Sequence, residues 1–236
     1  MKSFLFYGKI QIKNENIRGG EMMEKDQIKK VYHSKYIKLY DMEYQKGSHY
    51  LCASRREEDR LPAAMPKEAY KTLLPDAVSC VVVLNIKGEE PKLLLNWEYR
   101  YPAGQYLLSV PAGLIDPKDW DNPNALQDTA IRELKEETGI TVMEGDEVSV
   151  INPFVFSTPG MTDEGNGLVY IQINRDKMPE LSQSGAEGSE QFDGFKIINK
   201  KQAATYLTTG RDEHGIYYPI YTWAALMFFM GIPSEL

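Results

Sequence analysis

The stretch IRELKEETGI, Ile131 to Ile140, sets Glu133, Glu136 and Glu137 beside Arg132 and stops at a glycine. Carboxylates this close repel one another unless solvent or a cation intervenes. On a helix, Glu133 and Glu137 lie one turn apart on a shared face, with Cβ atoms about 5–6 Å apart. Glu136 falls within the same arc, and Arg132 can pair with it at i+4. That leaves Glu133 and Glu137 without a cation from their own helix. Hard divalent ions take carboxylate oxygens, and Mg²⁺ typically uses one or two carboxylates together with substrate phosphates. The competing reading is a solvated acidic face that binds nothing.

The elements needed to position these groups can be read around them. Leu126, Ala130, Ile131 and Leu134 make an apolar stripe beside the acidic arc. Asn122 reads as the helix cap, with Pro123 at the first helical position. The helix runs to about Thr138, where Gly139 supplies the left-handed residue that ends it. Strand patterns lie on both sides: KYIKLYDMEY and HYLCASRR around a turn at Gln45-Lys46-Gly47, then AVSCVVVLNI, KLLLNWEYRY, YLLSVPAGLI, EVSVINPFVFS, GLVYIQIN and GFKIIN. KEAYKTLL suggests a short helix in a proline-punctuated connector. Two more helices are expected near Lys200–Leu207 and Ile216–Met230, the second as a core helix. Mixed strands with three helices imply an α/β layered domain.

RELKEETGI resembles the second half of the Nudix box, G-x5-E-x7-R-E-U-x-E-E-x-G-U with U apolar. Arg132, Glu133, Leu134, Glu136, Glu137, Gly139 and Ile140 match it, and Pro111–Asp116 (PAGLID) resembles its start, with Gly113 as the first glycine. The interval from Gly113 to Arg132 is five residues longer than the pattern, so the first box glutamate falls on Asn124. Asp119 or Asp121 could take its place. The resemblance implies an α/β/α sandwich with a mixed sheet. It implies Mg²⁺ (Mn²⁺ possible) on Glu133, Glu137 and the Ala112 carbonyl, with Glu136 as a third ligand or the partner of Arg132.

Features outside the box are similar to the ADP-ribose pyrophosphatase branch of that family. NWEYRYPAGQYLLSVPAGLID resembles its Q-Y-R-x-P…E-x-P-A-G-x-I-D run, and STPGMTDE resembles its S-P-G-x-[ST]-[DS]-E loop. That match makes Glu164 the candidate base or water-orienting residue, with Asp163, Glu187 and Glu190 behind it. Arg100 is a candidate phosphate clamp, or a structural partner of Glu98 or of a box carboxylate. Arg55 and Arg56 could reach phosphate, or form a solvated edge. The implied reaction is hydrolysis of ADP-ribose or a related nucleoside diphosphate sugar to AMP and a sugar phosphate; the alternatives are a non-catalytic ADP-ribose sensor and a Nudix hydrolase of another nucleoside diphosphate. Arg18-Gly19-Gly20-Glu21 directly before Met22-Met23 fits codons of a bacterial ribosome-binding site, so 1–25 reads as a flexible tail or a mis-assigned leader with Met22 or Met23 as the true start. The resemblance implies a β-rich dimerisation extension at 26–75 that makes a homodimer, and the Nudix domain at 76–236.

Composition narrows the partners. A net charge of −7 and a pI near 5.2 argue against a nucleic-acid groove or an anionic membrane surface. Cys52 and Cys80 fit no paired spacing and read as small buried hydrophobes. His33, His49 and His214 fit no ligand spacing. No apolar run reaches the ~18 residues of a membrane span, and the expected location is the cytoplasm.

Overall fold

The computed structural model describes residues 22–185 and 190–232. Most of the expected leader, and Glu187, lie outside the described residues. β1 (Ile28–His33), β2 (Lys38–Gln45) and β3 (Ser48–Ser54) form an antiparallel sheet, with Gly47 at φ 75° in the β2–β3 turn. Alternation along β2 buries Tyr40 and Met42 with Ile28, Cys52 and Leu61 in a small core. The expected connector helix is one turn, α1 (Lys67–Tyr70), which begins directly after Pro66.

The second sheet is mixed. β4 (Ala77–Ile86), β5 (Lys92–Arg100), β8 (Glu147–Phe156), β9 (Gly165–Arg175) and β10 (Phe192–Ile198) run in the order β10-β5-β4-β9-β8, with β4 and β9 parallel. The near-continuous apolar run of β4 is buried on both faces. Val78, Cys80, Val82 and Leu84 pack toward α2 (Ala125–Thr138), against Leu126, Ala130 and Leu134. Val81 and Val83 share the other core with Ala203 of α3 (Lys200–Thr209) and Leu226 and Phe229 of α4 (Ile220–Gly231). The α/β/α layering and mixed sheet agree with the expectation. Both cysteines are free and buried. Among the described residues no helix is long and apolar enough to cross a membrane.

Three local expectations change. YLLSVPAGLI is two strands, β6 (Gln105–Ser109) on β5 and β7 (Ala112–Leu114) on β4. Proline has no N–H to donate to a ladder; the chain changes partner at Pro111, whose carbonyl accepts from Cys80 N–H at 2.8 Å. Helix α2 begins at Ala125 with Asn124 in the cap position, because Asn122 instead closes a turn: its Oδ1 accepts from Asn124 N–H and its Nδ2 donates to Asp128. Helix α4 begins at Ile220, four residues later than expected, after Pro219 in the extended region.

Candidate functional site

β7 and α2 build the centre. Gly113 passes directly over Glu133, and a Cβ at Gly113 would overlap that carboxylate. Only glycine permits this approach. At its other end α2 closes on Gly139 at φ 76°, whose N–H bonds the Lys135 carbonyl. Leu126, Ala130 and Leu134 of the α2 stripe are buried in the core and Ile131 is half-buried, while Glu133 and Glu137 on the adjoining face are also buried, at 5% and 2% exposure.

Buried carboxylates need partners. Arg132 serves two: Nη1 lies 2.8 Å from Glu136 Oε2, and Nη2 lies 2.8 Å from Glu133 Oε1 while donating to the Leu114 carbonyl at 3.0 Å. Glu133 therefore does have a cation from its own helix, which the i+4 argument did not foresee. Glu137 has hydrogen bonds only, accepting from Asn96 Nδ2 at 2.7 Å and Ala112 N–H at 3.3 Å. Burial pushes Glu133 up to about 7, against the pull of Arg132, and pushes Glu137 well above the ordinary carboxylate range. Glu190 also raises both, and raises Glu98.

Nearby oxygens suit a hard cation. Asn96 Oδ1 is buried without a hydrogen-bond partner beside Glu137. Two sealed carboxylates, of which Glu133 alone is paired with a guanidinium, together with an unsatisfied amide oxygen next to Glu137, are a donor set that a divalent ion would stabilise. Among the described residues no three acidic, histidine or cysteine side chains converge as a ready cage. Arg132 instead engages Glu133 and Glu136, and Glu137 turns toward Asn96.

The second acidic element is the loop joining β8 to β9. Ser157 N–H donates to the Glu164 carbonyl at 2.9 Å and closes it. Strand β3 lies along this loop: Ala53 N–H bonds the Met161 carbonyl at 3.0 Å, Tyr50 Oη bonds the Gly160 carbonyl, and Ser54 Oγ bonds Asp163 at 2.8 Å. Beyond β3, Arg55 Nε reaches Glu164 Oε2 at 3.1 Å. Arg56 is buried, with Nη2 at 2.8 Å from Asp76 and 3.0 Å from the Leu74 carbonyl, and Nε 3.8 Å from Asp163. Asp76 also accepts from Gly165 N–H at 2.9 Å. One ion-pair cluster thus joins the small sheet, the start of β4 and the acidic loop.

The sequence matches the family model described as NUDIX domain over residues 73–215. The chain belongs to the NUDIX domain family. It is 31% identical to the ADP-sugar pyrophosphatase of Mus musculus over 140 residues, 59% of this chain and 60% of that protein. It is 33% identical to the ADP-ribose pyrophosphatase of Saccharomyces cerevisiae over 125 residues, 52% of this chain and 50% of that one. It is 32% identical to a putative nudix hydrolase of Caenorhabditis elegans over 129 residues, 55% and 53% of the two chains. The chain spans about half the length of the curated relatives it matches.

Within this Nudix frame, β7 and α2 bring Glu133, Glu136, Glu137, Arg132 and Ala112 together. Arg100 stands at the end of β5 in an ion pair with the buried Glu98. Arg55 is half exposed and pairs with Glu164, whereas Arg56 is not a solvated edge: the Asp76 cluster buries it. Glu164 belongs electrostatically with Asp76 and Tyr221, both of which it raises. Asp119 and Asp121 sit in the lengthened loop, where Trp120 packs under the Arg60 guanidinium at 3.6 Å. Asn96, Asp76, Ser157 and Tyr221 escaped the sequence reading. Asn96 and Ser157 open the two quoted runs without a role assigned there, Asp76 and Tyr221 stand in neither, and the contacts Asn96–Glu137, Arg56–Asp76 and Ser157–Tyr221 join segments distant in the chain.

Proposed function

We propose that this chain hydrolyses the diphosphate of ADP-ribose or a related nucleoside diphosphate sugar, releasing AMP and a sugar phosphate. The observation that carries this is the buried pair Glu133 and Glu137 beneath Gly113, in a chain whose relatives are named for ADP-sugar and ADP-ribose cleavage. Glu133, Glu137, the Ala112 carbonyl and in part Glu136 would hold Mg²⁺ or Mn²⁺. Bound there, such an ion neutralises diphosphate charge and stabilises an in-line displacement.

The chain's own groups do the rest. Arg132 steadies Glu133 and Glu136 between turnovers. Arg100 and Arg55, both partly exposed, present guanidiniums suited to bidentate phosphate contact; Arg56 would have to leave its buried cluster to do the same. Glu164 orients or deprotonates water, whose oxygen bonds to phosphorus as the bridging P–O bond breaks, the carboxylate taking the proton. Glu190 is the second candidate, favoured by its influence on Glu98, Glu133 and Glu137. The β1–β3 extension, residues 26–75, is proposed to form a homodimer, which light scattering would measure.

The test is a product screen across nucleoside diphosphate compounds with Mg²⁺. Release of AMP from ADP-ribose is expected; binding without any product would favour the sensor. Comparing Glu164→Gln with Glu190→Gln then identifies the water-handling acid, through a loss in kcat of about 10²–10⁴-fold.

A further inference from the structure

We propose that Ser157 and Tyr221 are positioning residues that fix the orientation of the Glu164 carboxylate, an inference that rests on Glu164 as the water-handling acid. The hairpin places the Glu164 backbone, through Ser157 N–H on its carbonyl and the Phe156–Gly165 register. That bond leaves the side chain free to rotate. Its direction is set by two further contacts: Ser157 Oγ lies 3.1 Å from Oε1, and Arg55 Nε lies 3.1 Å from Oε2.

The donors can be ordered. An ionised carboxylate only accepts, so Ser157 must spend its single O–H on Glu164. The Ser157 oxygen then offers lone pairs alone to its other neighbour, the Tyr221 hydroxyl, and Tyr221 must donate. The chain runs from Tyr221 to Ser157 to Glu164. Tyr221 is in the first turn of α4, packed against the core between that helix and the sheet. The C-terminal helix thereby fixes one carboxylate oxygen. The N-terminal extension, through Arg55, fixes the other.

The two sides differ in permanence. Arg55 is partly exposed, and an arriving phosphate competes for it. Ser157 and Tyr221 are half-buried and carry no charge for an arriving phosphate to attract, so their hold survives substrate binding. A carboxylate must be held within a fraction of an ångström to aim a water in line.

Ser157→Ala, Tyr221→Phe and Glu164→Gln, singly and combined, test this by steady-state kinetics on ADP-ribose with saturating Mg²⁺. Ser157→Ala keeps the backbone bond, so it remains informative if Tyr221→Phe folds poorly in a thermal melt. The expected result is a fall in kcat of roughly 10-fold for each relay variant, the scale of one hydrogen bond to a charged group. KM should stay unchanged, Ser157→Thr should restore turnover, and neither change should add loss on top of Glu164→Gln. Near-normal kcat in both relay variants while Glu164→Gln is crippled overturns the relay and leaves the role of Glu164 standing. An equal loss in the Glu164→Gln background also overturns it, because the hydroxyls would then act elsewhere. Should Glu164→Gln itself turn over normally, the assignment of Glu164 fails, and the relay with it.

Discussion

The α2 carboxylates and the β8–β9 loop are both acidic, but they are held by opposite means. Glu133, Glu136, Glu137 and Arg132 come from one helix, and β7 crosses them from only a short distance upstream. Glu164 is held by Arg55 from the N-terminal side and by Ser157 with Tyr221 from the C-terminal side. The residues of the first site are brought together by local geometry and burdened by burial. The second is paired and hydrogen-bonded, and depends on docking between distant segments. Charge is concentrated without full compensation at one site and cross-linked at the other.

The largest expected effect breaks the first site. Glu137→Gln should lose more than about 100-fold of hydrolysis, because it removes an anionic donor while keeping shape. It should not lose stability: burial already disfavours the ionised Glu137, so in chelator at neutral pH the variant should melt no lower than the parent. A large drop in melting temperature with activity retained would reverse the roles assigned to this residue.

Breaking the second site should show first in stability. Arg56→Met strands Asp76 and Asp163 in a buried cluster, and removal of one buried partner typically costs about 3–5 kcal/mol. Arg55→Met removes a partly exposed pair, for which about 0–1 kcal/mol is usual. Urea unfolding of the two variants separates them. Equal and small losses would mean that the cluster does not tie the small sheet to the loop.

The smallest effect concerns pH. Glu133 is raised to about 7 and Glu137 well above the ordinary carboxylate range, so the folded protein binds these protons more tightly than the unfolded chain. The contribution of Glu133 is full below the unfolded value of about 4.5 and is lost as pH rises through about 7, and that of Glu137 has the same sign. A divalent ion needs the deprotonated carboxylates and offsets that loss. Mg²⁺ should therefore raise the melting temperature more at about pH 8 than at about pH 5.5. An equal rise at both would detach the ion from these two groups.

The same division explains what could be read before folding. The α2 stripe and its Gly139 stop were legible because each depends on neighbours a few residues apart, and the α/β/α class followed from the box motif. The split of YLLSVPAGLI at Pro111 was not, since β6 and β7 choose between β5 and β4 only when the sheet forms. The double duty of Arg132 was missed because β7 and α2 together set how far its guanidinium reaches.

By itself the sequence determined which groups share the acidic face of α2, because helical periodicity alone puts Glu133 and Glu137 one turn apart. That Gly113 crosses them so closely that any side chain there would collide was decided by the packing of β7 on α2. The tertiary structure alone decided that both carboxylates are sealed from water, that Arg56 is buried while Arg55 stays partly exposed, and that Tyr221 reaches Ser157 across 64 positions. Burial and long-range pairing are properties of surfaces brought together by packing, and the spacing of residues along a chain does not record them.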